Sequence, residues 1–201
     1  MLIPLRLSAL SDEQLMQRAS RGSQRAFEEL YNRHARRLQG FFVRRLGGDQ
    51  ELAADLMHDT FLRLYDARER YREGQSLRAW LYTIAYNLCK NHMRRPQPHS
   101  ISLGPSPNGD EGACGSRTSD CIDDDADVEV ELDEAAFRDA LRQVLRSLPE
   151  PYAMLFSLHY EEELTIPQIA QITSLPEGTV KSRMHKTMNI IKQNLKQYEN
   201  R

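Results

Sequence analysis

Apolar residues recur at steps of three and four along the first hundred positions, the period of helices that bury one face. The pattern predicts four helices between Ser11 and Pro96, with Gly47-Gly48 ending the second and a charged loop at 66–75 before the fourth. The stripes are Phe27, Leu30, Tyr31, Leu38, Phe41 and Phe42, then Leu52, Leu56, Met57, Phe61, Leu64 and Tyr65, then Leu77, Trp80, Leu81, Ile84 and Leu88. No segment shows strand-type alternation beside hairpin turns.

The last seventy residues also have helical periodicity, and their final part predicts a helix-turn-helix. Thr165 and Gln168 fit a capping box that opens a short helix. A turn near Ser174 leads to a longer helix from about Pro176. Its inward stripe is Val180, Met184, Met188, Ile191 and Leu195. A short helix, a tight turn and a longer basic helix form the motif that many proteins use to enter the major groove of DNA.

The two helical parts are separated by a segment too polar to build a core. Four prolines fall between 96 and 107, and seven acidic residues follow between 120 and 131. Such a composition buries too little apolar surface to offset the entropy of the chain. We therefore predict an all-α protein with two small domains, at 8–95 and 131–201. A flexible acidic linker at 96–130 leaves their relative orientation unset.

The net charge of −2 conceals an uneven distribution. Residues 1–100 carry 17 Lys/Arg against 11 Asp/Glu, and residues 141–201 carry 8 against 6. Residues 101–140 carry 2 against 12. Two cationic parts that flank an anionic segment are compatible with nucleic-acid binding, which the overall charge would not suggest.

The final helix supplies candidate DNA contacts. When its apolar stripe packs inward, Lys181, Ser182, His185, Lys186 and Asn189 lie on the opposite side, and all five can hydrogen-bond to base edges or phosphates. Glu177-Gly178-Thr179 lies at the helix N-terminus, where backbone N–H groups can meet a phosphate. On helix chemistry alone, an ordinary solvated face with surface lysines fits equally well.

Other classes of protein receive less support. Cys89, Cys114 and Cys121 lack the even count and spacing of a secreted disulfide scaffold, so we expect a reducing cytoplasm. Cys89 and His92 have the spacing of two zinc ligands, but no second pair accompanies them. The sequence has no nucleophile triad, phosphate loop or membrane-length apolar run. We expect no catalysis, cofactor or membrane insertion, and keep an autonomous helix-turn-helix regulator as the alternative.

Short sequence motifs in both predicted domains resemble those of a single protein family. LTIPQIA at 164–170, PEGTVKSR at 176–183 and LPEPYAMLF at 148–156 resemble the −35-binding region of bacterial sigma factors. FEELYNRH at 27–34, DLMHDTFLRLY at 55–65 and the stretch 77–95 resemble the family's other universal domain. Because only a linker stands between these two domains, the chain resembles the extracytoplasmic-function subgroup of the family. Gln168, Ser174 and His58 depart from the usual Glu, Gly and Gln, which affects promoter preference more than class.

The resemblance implies a binding role for each helical segment and for the linker. The third helix is expected to dock on core RNA polymerase through Asp55, Leu56, Asp59, Thr60, Phe61, Arg63 and Leu64. Capture of the −10 element is expected from Arg72, Gln75, Ser76, Arg78, Trp80, Tyr82, Asn87, Lys90, Asn91 and Arg94. The −35 element is expected to meet Thr179, Lys181, Ser182, Arg183, His185, Lys186 and Asn189. A membrane-linked anti-sigma factor is the implied regulator. The acidic linker is expected either to thread the RNA path of the polymerase or to act as a solubilising spacer.

Overall fold

The computed structural model describes residues 7–94 and 128–196, and gives the backbone alone for 128–136. Within these ranges the regular structure is helical. The α-helices are α1 (Asp12–Ser20), α2 (Gln24–Arg45), α3 (Gln50–Asp66), α4 (Leu77–Arg94), α5 (Val128–Ser147), α6 (Glu150–Phe156), α7 (Ile166–Thr173) and α8 (Glu177–Leu195). The all-α prediction is therefore confirmed, whereas the predicted linker lies mostly outside the described residues.

Polar side chains set the beginnings of the N-terminal helices. Ser11 and Gln14 form the predicted capping box, with Ser11 Oγ accepting from the Gln14 N–H at 3.2 Å and Gln14 Oε1 accepting from the Ser11 N–H at 3.0 Å. Ser23 caps α2, and Asp49 caps α3 by accepting from the Leu52 N–H at 3.0 Å. These bonds satisfy amide groups that have no partner inside a helix.

The N-terminal domain packs α1, α3 and α4 around the long helix α2. The rings of Phe41 and Phe42 are completely buried, and Phe41 meets Tyr82 edge to face with ring centroids 5.5 Å apart. Phe27, Tyr31 and Phe61 form a second aromatic group between α2 and α3. The three predicted apolar stripes therefore meet in one core.

The C-terminal domain contains the predicted helix-turn-helix. Gln168 Oε1 accepts from the Thr165 N–H at 2.9 Å where α7 begins, and Ser174 ends that helix in the left-handed conformation with φ of 57°. Between α6 and α7 the chain makes a π-helical turn at Ser157–Glu161, which the apolar pattern did not predict. This turn brings the acidic run that follows α6 toward the N-terminal domain.

The two domains contact each other, although the linker composition predicted no fixed relation between them. Helix α4 packs along α7, and the apolar core of the N-terminal domain continues into Met154, Leu158, Ile169 and Val180. A smaller apolar cluster joins α5 and α6 to the end of α8. The orientation comes from these surface contacts, which composition and periodicity do not reveal.

Candidate nucleic-acid and polymerase interfaces

Helix α8 presents the face that the sequence predicted. Val180 and Met184 are buried against α6 and α7, Ile191 is buried against α5 and α6, and Thr187 is also buried. Among the exposed side chains of α8 are Lys181, Ser182, His185, Lys186 and Asn189. Thr179 and Arg183 are half-buried beside this row. The result is a polar surface on the second helix of a helix-turn-helix, placed where a major groove can receive it.

Local contacts orient part of this surface. Lys186 Nζ lies 5.5 Å from the centroid of the Tyr152 ring, within the range of a cation–π interaction. Asn189 Nδ2 lies 3.3 Å from His185 Nδ1 one turn away, and Lys181 pairs loosely with Glu177 at 3.9 Å. These contacts are weak and solvent-exposed, so the side chains remain available to bases and phosphates.

Helix α3 divides the predicted polymerase-binding residues into two layers. Thr60, Phe61 and Leu64 are buried in the N-terminal core, and Thr60 Oγ1 donates to the backbone carbonyl of Leu56 at 2.7 Å. These three side chains support the helix from beneath and are not available for contact in this arrangement. Asp55 and Arg63 are exposed, and Arg63 Nε donates to Asp59 at 3.0 Å.

Leu62 and Tyr65 add an apolar part to that surface. Leu62 is 63% exposed and Tyr65 is 38% exposed, whereas the neighbouring Phe61 and Leu64 are buried. The apolar pattern placed Tyr65 in the inward stripe of this helix, which its exposure corrects, and left Leu62 out. The available signal was the position of Leu62, which falls outside the three- and four-residue stripe of its helix. A single exposed leucine is common on protein surfaces, but together with Tyr65 it gives this face of α3 a small apolar centre among charges.

The predicted −10 residues divide between solvent and the domain interface. Arg72, Asn87, Lys90, Asn91 and Arg94 are exposed, whereas Gln75, Ser76 and Arg78 are half-buried. Tyr82 is 2% exposed and cannot contact DNA in this arrangement. Phe41 on α2 and Glu162, which precedes α7, contact it, and the periodicity of α4 does not encode these long-range contacts.

Trp80, which the sequence left between a core and a stacking role, lies at the edge of the N-terminal domain. It is half-buried and stacks on Tyr71, with ring centroids 5.8 Å apart and an interplanar angle of 18°. The Tyr71 hydroxyl donates to the backbone carbonyl of Gln75 at 2.7 Å, which braces the 66–75 loop internally, and the stacking on Trp80 ties that loop to α4. The aromatic pair therefore shapes the loop from which a base-capturing surface would be built.

Three arginines and a tyrosine converge where the domains meet. Arg37 and Arg44 on α2, with Arg78 and Tyr82 on α4, surround Glu162 just after the π-helical turn. Burial, followed by the nearby Glu162 carboxylate, raises the pKa of Tyr82 and keeps its hydroxyl protonated as a donor. Sequence analysis did not select Glu162, because a run of three glutamates normally indicates a solvated turn.

The cysteine that suggested a metal ligand is enclosed in the N-terminal core. Cys89 is completely buried, and burial raises its pKa to about 12, so the thiol stays protonated. His92, the other residue of that spacing, is half-buried in the last turn of α4. Residues 7–94 and 137–196 contain no group of three side chains placed to hold a metal ion. Cys114 and Cys121 lie outside the described residues.

No helix in the described part of the chain is both long enough and apolar enough to cross a membrane. This finding concerns α1 to α8 only.

Comparison with known proteins identifies both domains. Residues 30–98 match the family model of sigma-70 region 2, and residues 138–189 match that of sigma-70 region 4. The chain is 31% identical to the RNA polymerase sigma-H factor of Pseudomonas aeruginosa, over 92% of this chain and 94% of that protein. It is 28% identical to the ECF RNA polymerase sigma-E factor of Escherichia coli, over 90% and 93%.

Solved structures show the same fold. CnrH, determined in complex with the cytosolic domain of CnrY, aligns with a TM-score of 0.62 at 20% identity, over 92% of this chain and 97% of that one. The sigma factor RpoE of Bartonella quintana, determined with the anti-sigma factor NepR, aligns with a TM-score of 0.60 at 22% identity, over 85% and 96%. Because both domains match in order and full-length relatives cover the chain, it belongs to the RNA polymerase sigma factors of the extracytoplasmic-function (ECF) subgroup.

Proposed function

We propose a division of labour in which the N-terminal domain docks on core RNA polymerase and engages the −10 element, while α8 reads the −35 element. As a sigma factor, the chain acts in promoter-directed initiation, a regulatory rather than catalytic task. The observation that carries the −35 assignment is the exposed row of Lys181, Ser182, His185, Lys186 and Asn189 on the second helix of the helix-turn-helix.

The proposed polymerase-docking surface is the outer face of α3, defined here as Asp55, Asp59, Leu62, Arg63 and Tyr65. It combines an exposed apolar centre with charges of both signs, which suits a partner helix. Phe61 and Leu64 hold it against α2 from within, so the surface is rigid before contact. A preorganised surface loses less conformational entropy when it binds.

For −10 recognition we propose that Arg72, Asn87, Lys90, Asn91 and Arg94 form an exposed cationic and amide-bearing strip for the DNA strands. Ser76, Arg78 and Tyr82 would join them only after α7 moves away. Cations and aromatic rings together bind single-stranded DNA. We propose a cytoplasmic location, because core polymerase and promoter DNA are found there.

An anti-sigma protein is the proposed regulator. The solved structures that share this fold include CnrH in complex with the cytosolic domain of CnrY, and the sigma factor RpoE in complex with the anti-sigma factor NepR. The present chain offers both exposed surfaces, on α3 and on α8, to such a partner. An autonomous regulator is disfavoured because the chain matches sigma-70 region 2 as well as region 4, and the helix-turn-helix of such a regulator would account for region 4 alone.

Replacing Asp55 and Asp59 together by alanine is expected to weaken binding to core polymerase by about 5- to 30-fold, the range of 1–2 kcal/mol. The fold should persist, because the Asp59–Arg63 pair is exposed and contributes only about 0.3–0.5 kcal/mol to stability. A fluorescence titration of labelled protein with core enzyme measures the affinity.

The matched control is Asp66→Ala with Glu69→Ala, which removes the same charge from exposed positions at the end of α3 and just beyond it. Its affinity should stay within about twofold. Equal losses in the two double variants would indicate a general charge effect and count against the docking surface.

A further inference from the structure

Glu162 is completely buried, and the other domain supplies every side chain described as bonding to it. Arg37 Nε donates to Oε2 at 2.9 Å, and Arg44 Nη2 donates to Oε1 at 2.7 Å. The Tyr82 hydroxyl also donates to Oε2, and Arg78 donates to the Glu162 backbone carbonyl. A carboxylate removed from water is stable only with such donors.

Because all of its side-chain donors belong to the other domain, the Glu162 carboxylate is shielded from water only while the two domains are in contact. When the domains separate, water replaces Arg37, Arg44 and Tyr82, and the carboxylate becomes an ordinary exposed acid. Separation leaves the Glu162 carboxylate and its donors solvated, but it also exposes the apolar side chains of Met154, Leu158 and Ile169, which continue the N-terminal core. Opposite charges and fixed donors favour the contact, and hydration favours its release. Such a balance is suited to a reversible closure.

Neighbouring contacts reinforce the same closure. Arg44 also pairs with Glu161 at 2.8 Å, and Gln168 Nε2 donates to Ser76 Oγ at 3.1 Å. Arg45 on α2 approaches Glu150 on α6 at 3.6 Å. Each of these joins an N-terminal side chain to a C-terminal one, so the contact has a defined geometry.

The closure covers one proposed DNA surface and leaves the other free. Ser76 and Arg78 are engaged by the C-terminal domain, and Tyr82 is buried beneath it. The polar row of α8, represented by Lys181 and His185, remains exposed. In this state the protein can present its −35 helix, but the beginning of α4 is inaccessible to single-stranded DNA.

We propose that Glu162 is an autoinhibitory latch: its carboxylate, held by Arg37, Arg44 and Tyr82, locks the two domains together and masks the start of α4. What the latch masks depends on the −10 assignment proposed above, whereas the latch itself depends only on the contacts of Glu162. Docking on core polymerase separates the domains and releases Ser76, Arg78 and Tyr82.

The test uses the full-length protein with Glu162→Gln and Glu162→Ala. Small-angle X-ray scattering measures the radius of gyration, and fluorescence anisotropy measures binding to a labelled single-stranded DNA 20-mer of mixed sequence. Both variants should raise the ratio of open to closed molecules about tenfold, equivalent to about 1.4 kcal/mol. The radius of gyration and the affinity for single-stranded DNA should rise together.

Glu163→Gln is the matched control, because it removes the same charge from the adjacent residue. The Glu163 side chain is 70% exposed and approaches Arg37 at 3.5 Å, and an exposed pair of this kind contributes little to the domain contact. Its effect on both measurements should be much smaller than that of Glu162→Gln. Arg37→Gln with Arg44→Gln removes the N-terminal partners of Glu162, whose side chains are 40% exposed. This double variant should increase the radius of gyration as Glu162→Gln does. Circular dichroism verifies that each variant retains its helices.

A radius of gyration identical to that of the control in both Glu162 variants and in the arginine pair would overturn the latch. Expansion without a gain in affinity for single-stranded DNA would overturn the masking and place the error in the −10 assignment. Expansion with that gain supports both parts of the proposal.

Discussion

Replacing His185 and Lys186 together by alanine is expected to lower promoter-specific transcription by the reconstituted holoenzyme at least tenfold. A residue that reads a base contributes about 1–3 kcal/mol, and its loss also relaxes preference at one base pair. Loss of a residue that contacts phosphate weakens binding to all DNA sequences alike. It also reduces the slope of log affinity against log salt concentration by about one. Both side chains are exposed on α8, and the Tyr152 ring lies beneath Lys186.

A panel of promoters that differ by single bases in the −35 element distinguishes base reading from phosphate contact. His185→Ala and Lys186→Ala are measured singly on the panel at two salt concentrations. Lys192→Ala is the control, because it removes an exposed cation from the last turns of α8. Transcription unchanged in the double variant, or lowered equally by Lys192→Ala, would show that the recognition face lies elsewhere.

Phe41→Ala is expected to reduce the free energy of unfolding by about 3–5 kcal/mol, the usual result of deleting a buried ring. Phe41 is completely buried between Phe42 and Tyr82, with ring centroids 5.6 Å and 5.5 Å away. The lost transfer energy and the cavity left behind both contribute. Urea denaturation followed by circular dichroism measures the change.

Leu62→Ala is the stability control for Phe41→Ala, because Leu62 is 63% exposed. Its effect on unfolding should stay within about 0.5 kcal/mol. A loss below about 1 kcal/mol for Phe41→Ala would contradict the packing of α2 against α4. The same variant should also loosen the domain contact, since Phe41 supports the Tyr82 ring that bonds to Glu162.

Local signals predicted much of the fold. Ser11 with Gln14 specified the start of α1, and Val180, Met184 and Ile191 specified the inner face of α8. These features depend on neighbours within one helix or its first turn, so periodicity and capping chemistry suffice to find them.

Features that depend on distant residues were not predictable in this way. The burial of Glu162 requires Arg37 and Arg44, more than a hundred positions earlier, and a π-helical turn that aims the carboxylate at them. The same contact buries Tyr82, which the sequence placed on a DNA-facing surface. Charge runs and periodicity carry no information about such pairings across domains.

The exposed part of the docking surface illustrates a related limit. The apolar periodicity of a helix identifies the residues that face the core. All other residues of that helix are then predicted to be exposed, without distinguishing which of them contact a partner. Leu62 falls into that default group, although its exposure beside Asp59 and Arg63 makes it a candidate contact. Only the arrangement of the whole helix on α2 reveals which exposed apolar side chain lies among the charges.

Run-off transcription by purified core RNA polymerase on genomic DNA fragments, with and without the full-length protein, measures whether the chain confers promoter specificity. Core enzyme alone should initiate without promoter specificity. Adding the protein should produce discrete transcripts whose upstream regions share −10 and −35 elements, and Asp55→Ala with Asp59→Ala should weaken that response. Transcription that remains unspecific after addition, or tight sequence-specific DNA binding by the protein without core, would contradict the account.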